Sequence, residues 1–209
     1  METTPAKAAA ANPFWAFSWA LYPKRGVADA CLTLQEREGL DVNILLFCCW
    51  AGACGRRLHV TELRTLVATV ADWQARVIAP LRAVRVWLKA ESASGAPSGA
   101  LPDVAVPAGT LPEVADLRAA IKDQELAAER VEQDMLHAAL PLDMPHAALP
   151  LGNDTPAADI VADNLQAYFA ASGRTPGPDD TAALAMLVLA TCPDEAHGLD
   201  IVTRLDRAG

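Results

Sequence analysis

Cys48, Cys49, Cys54 and His59 are the closest approach to a metal-binding or thiol-reactive set in the chain. Structural zinc sites space their thiolates as Cys-x2-4-Cys, so that two sulfurs converge from one turn. Adjacent residues on a helix point about 100° apart, so Cys48 and Cys49 cannot both face one ion. The set reads as packed cysteines of a core, with Cys54, at the end of the apolar run, left for a redox role. No metal and no cofactor are expected. A second constellation is Gln35, Asp41 and Asn43, polar residues bordering the most apolar stretch, with Asp29 nearby. Asp and Asn at such positions cap helices by accepting from free amides. The alternative is a polar cluster at the mouth of an apolar pocket lined by Trp15, Trp19, Tyr22 and Trp50, the usual form of a small-molecule site.

No serine elbow, His-Glu-x-x-His, phosphate-binding glycine loop or dinucleotide fingerprint occurs. Of the four histidines, His137 and His146 belong to a duplicated His-Ala-Ala-Leu-Pro-Leu segment with a period of nine. Two copies are too few for a solenoid, and the repeat reads as a slip in a tolerant linker. Catalysis is therefore unsupported.

The elements that would position these residues are all helical. Asn12 is an N-cap and Pro13 a first helical residue, and Pro23 stops that helix after Tyr22. Trp15, Trp19 and Tyr22 share one face of it, and Phe14, Phe17 and Leu21 form a second apolar face. Five of the eleven aromatic residues lie here. Val27, Ala30, Cys31 and Leu34 repeat with helical spacing up to Gly39, a C' glycine. Asp41 caps a helix from Ile44 to Cys54 that is apolar all round and so central; a buried strand is the competing reading of so short an apolar run. Thr61 opens a segment carrying Leu63, Leu66, Val70, Trp73 and Val77, which Pro80 interrupts before Leu81, Val84 and Leu88 resume the pattern. One kinked helix or two in tandem are expected there.

A linker rich in Ser, Ala, Gly and Pro is expected near 92–109. Thr110 and Glu113 then form a capping box. Val114, Leu117, Ile121, Gln124, Ala128, Val131 and Met135 follow at alternating spacings of three and four, a helical seam. The acids of this helix, Glu125 and Glu129 among them, are natural partners for Arg82 and Arg85 on the preceding one, as structural ion pairs worth ~0–1 kcal/mol each when exposed. An irregular segment near 139–154 precedes further helices through Ile160 to Phe169 and through Leu184 to Leu189, with a last short one after Pro193. The expected fold is all-α, a bundle of about six to eight helices. Residues 12–138 form the main bundle and 155–209 supply C-terminal helices packing on it, within one domain.

The net charge of -9 is unevenly spread. Residues 1–91 carry 11 Lys/Arg against 8 Asp/Glu, and residues 92–209 carry 6 against 18, so the two parts attract each other. An acidic chain with no free basic stripe argues against nucleic-acid binding. The longest apolar run falls short of the ~20 residues that span a bilayer, and the N-terminal aromatic block lacks the pattern of a signal peptide. With five cysteines, an odd number, reduced thiols and a cytoplasmic location are expected.

The string Asn12-Pro-Phe-Trp-Ala-Phe-Ser18, followed in order by Tyr22, Gly26-Val27, Ala30-Cys31, Leu34-Gln35, Gly39 and Asp41-Val-Asn-Ile-Leu-Leu-Phe47, resembles a proteobacterial family of small hypothetical proteins classed as a domain of unknown function. The likeness continues through Trp73, Pro80-Leu-Arg82 and Arg85 into the helix of Glu125 and Glu129, covering about residues 12–136. It implies a bacterial, soluble, helical protein without an assigned activity. The leading expectation is a non-catalytic interaction or accessory protein whose aromatic first helix meets a protein partner, since Trp and Tyr are enriched among interface anchors. The rival is a small-molecule binding protein or enzyme using the aromatic pocket with Gln35, Asp41 and Asn43. Partner identity and oligomeric state are not legible.

Overall fold

A computed structural model describes residues 12–94, 111–140 and 157–193. The expected linker and irregular segment, Thr110, most of the duplicated repeat and the helix after Pro193 lie almost wholly outside them. Among the described residues the chain is all-α, without strands. The helices are α1 (Pro13–Leu21), α2 (Val27–Glu38), α3 (Val42–Ala53), α4 (Val60–Trp73), a π-helical turn (Gln74–Ile78), α5 (Ala79–Ser94), α6 (Leu111–Ala139), α7 (Ala157–Ala171) and α8 (Pro178–Thr191). No helix among them is long and apolar enough to cross a membrane.

Local chemistry sets the boundaries. Asn12 Oδ1 accepts from the amides of Phe14 (3.0 Å) and Trp15 (3.3 Å), with Pro13 at the first turn where no amide is needed. Gly39, at φ 62°, ends α2 in the left-handed region that only glycine adopts without strain, and its amide reaches Gln35 O. Asp41 caps α3 through the Asn43 amide at 2.8 Å. At α4 the start falls one residue before Thr61: Glu62 reaches back to the His59 amide at 2.8 Å. Between α4 and α5 the chain does not break. Pro80 has no N–H to give, and the turn before it widens to the π pattern, with the Ala79 amide bonding Gln74 O five residues back.

The chain divides into two compact units, one of residues up to Thr69 and from Gln133 onward, the other Val70–Glu132. In the first, α3 is the centre: Asn43 through Gly52 are all buried. Among the described residues, α7 makes the most extensive helix–helix contact, and it makes it with α3. The direction is antiparallel, since the Asp41 amide donates to Tyr168 Oη at one end and Gly52 meets Val161 at the other. Helices α1 and α8 also touch α3, and α8 packs on α2. Arg37 pairs with Asp179 and Asp180, and Lys24 Nζ donates to Ala190 O, so α2 and α8 run antiparallel too.

The α3–α7 approach leaves no room for a methyl. A Cβ on Gly52 would lie 2.5 Å from Val161 Cγ2 and 2.7 Å from its backbone N and Cα. Backbone cannot swing aside as a side-chain tip can. Gly52→Ala should therefore cost about 2 kcal/mol or more despite the better helix propensity of alanine, as a lowered urea midpoint with unchanged slope. An unchanged midpoint would refute the contact.

Candidate functional site

The second unit is built on a charged seam. Trp73 Nε1 donates to Ala128 O at 3.0 Å, fixing α4 to α6, and Ile78, Leu88 and Ala128 fill the space between helices. Glu125, only 5% exposed, is held by two guanidinium groups. Arg82 Nε donates to it at 2.9 Å and Arg85 Nη2 at 3.2 Å, with a second contact from Arg85 Nε; Arg82 also reaches Glu129 at 3.0 Å. Burial alone would raise the Glu125 pKa, but the hydrogen bonds and charges of Arg85 and Arg82 outweigh it and hold the carboxyl below the ordinary range. The arrangement consumes its own charge. A general acid working near neutral pH would need the opposite shift.

The same unit holds a shallow open cavity of about 350 Å³, lined by Arg76, Val77, Pro80, Leu81, Val84 and Ile121. None of the residues singled out as a possible ligand surface lines it. Its one charged group, Arg76, also pairs with Asp72 at 3.4 Å.

The first unit separates the candidate surface residues into two sets. Trp50 is 3% exposed, 5.3 Å centroid to centroid from Phe14, 5.4 Å from Phe47 and 5.6 Å from His137. Asn43 is buried, its Oδ1 accepting from Gln133 Nε2 at 2.7 Å; Asp41 caps α3, and Gln35 is half-buried on α2. These belong to the interior or to helix ends. Trp19, by contrast, is 59% exposed and Tyr22 37%, with Trp15 half-buried and its ring 5.8 Å from that of Trp19. The face of α1 turned inward is Phe14, Ser18 and Leu21. Of the expected second apolar face, Phe14 and Leu21 are buried while Phe17 is half-buried.

Sequence reading passed over several buried polar groups. Asn12 does more than cap α1: its Nδ2 donates to Asp134 Oδ1 at 2.6 Å. Asn164, fully buried, accepts from the Leu58 amide (2.7 Å) and donates to Cys48 O (3.2 Å) and Arg56 O (2.9 Å). The signal was present, since Asn164 falls on the apolar face of its helix between Val161 and Tyr168, where an amide is retained only if its bonds are satisfied.

None of the five cysteines is joined in a disulfide. Cys31, Cys48 and Cys49 are buried, and Cys54 and Cys192 half-buried. Burial pushes the Cys49 and Cys54 thiols up to about 12, and those of Cys31 and Cys48 are raised as well. Among the described residues no group of three His, Cys, Asp or Glu side chains could hold a metal ion.

Comparison with protein families matches residues 13–136 to the family described as a protein of unknown function (DUF2390). The chain belongs to this family. The matched region runs from the first residue of α1 to Leu136 near the end of α6, taking in the aromatic helix, α3 and the Arg–Glu seam, while α7 and α8 lie beyond it. Neither curated proteins nor solved structures give a match.

Two outcomes follow from these geometries. Glu125 has a depressed pKa, so its stabilisation is present above the unfolded carboxylate value of about 4.3 and lost as pH falls through the lower folded value. Glu125→Gln should cost about 1–3 kcal/mol at neutral pH and less in acid, so that wild type and variant converge in denaturation series below that window; parallel curves would count against it. Cys31, Cys48, Cys49 and Cys54 should resist a disulfide reagent at pH 8 in the native protein and react at once in denaturant. Rapid native labelling of Cys54 would restore its redox candidacy.

Proposed function

We propose that the chain is a non-catalytic interaction protein whose partner surface is the outer face of α1, Trp15, Trp19 and Tyr22. The observation that carries the reading is the exposure of Trp19 and Tyr22 while Phe14, Ser18 and Leu21 fill the interior side of the same helix. Trp and Tyr bury much area with few rotors to freeze, which makes them effective anchors. The face continues into exposed Lys24 and Arg25. A protein partner offering an apolar cleft with an acidic rim complements both features. The pocket alternative, with Gln35, Asp41 and Asn43, draws no support from this geometry, because Trp50 and Asn43 are packed inside and Trp19 points out.

The test is a pull-down from the native host with wild type, Trp15→Ala/Trp19→Ala and Arg25→Glu, each checked for an intact helical spectrum, then direct titration of the captured protein. The double variant should weaken binding about a hundredfold, the scale of losing two interface anchors, and Arg25→Glu should reduce the salt dependence. A captured partner that binds all three equally well would end the proposal.

A further inference from the structure

We draw no further inference here: the strongest candidate, the shallow apolar cavity where the π-helical turn runs into α5, lined by Val77, Pro80, Leu81, Val84 and Ile121, is an open face, and nothing in the structure shows what covers it.

Discussion

Everything in the first unit is built around the place where Gly52 of α3 touches Val161 of α7 with no side chain between the backbones. That contact sets how closely the two helices approach, and the polar groups along α7 then fix their register. Tyr168 Oη receives the Asp41 amide, while Asn164 ties the carbonyls of Cys48 and Arg56 to the Leu58 amide. Each bond adds only about 0.5–1.5 kcal/mol net, but a slip by one residue would strip these backbone groups of their side-chain partners, at about 1–3 kcal/mol for each one left buried and unsatisfied. Apolar packing supplies the affinity between α3 and α7. The amide of Asn164 supplies the choice of one alignment over its neighbours.

The same interaction explains why the C-terminal helices are integral to a fold whose family match stops at Leu136. A helix buried from Asn43 to Gly52 has no face to give to water. Helix α1 covers one part of it and α8 another, but the broadest cover is α7. The matched region alone would leave the Gly52 surface of α3 open. The second unit solves its packing differently: the acid Glu125 is placed inside and two arginines come to it, so polarity is satisfied within the helix pair itself.

Much of this was legible in the sequence, because helix ends and periodicity are local properties. Asn12, Pro13, Gly39 and Asp41 marked boundaries that the structure keeps, and opposite charge on neighbouring helices pointed to Arg82 and Arg85 beside the acids of α6, where Arg82 meets Glu125 and Glu129 and Arg85 meets Glu125. What could not be read is orientation. On α1 both candidate faces are apolar, so periodicity could not say that Ser18 turns inward and Trp19 outward. The ties of Asn12 to Asp134 and of Asn43 to Gln133 span 122 and 90 residues of chain, and no local signal encodes such a meeting. The candidate surface suffered from the same limit: Trp50 and Trp19 look alike in a list of aromatics and have opposite roles in the fold.

The exposure of Trp19 is imposed by its neighbours, which bears on how the aromatic face should be understood. Asn12 caps α1 and simultaneously holds Asp134, while Phe14 packs edge-on to Phe47 at 5.1 Å and over Trp50 at 5.3 Å. A nine-residue helix has a single rotational phase, so fixing Asn12 and Phe14 fixes every later side chain. Turning α1 by the roughly 100° that would bury Trp15 and Trp19 would break the Asn12–Asp134 bond and empty the Phe14 site, at a cost of about 3–5 kcal/mol for the phenylalanine alone. Leu21 would leave the core as well. The fold thus holds Trp19 and Tyr22 at the surface against the hydrophobic effect, with Trp15 half-buried beside them, on a short helix with its cap locked. A surface needed only for solubility could carry any polar residue at those positions. A rigidly presented aromatic face gains its free energy only when something else covers it.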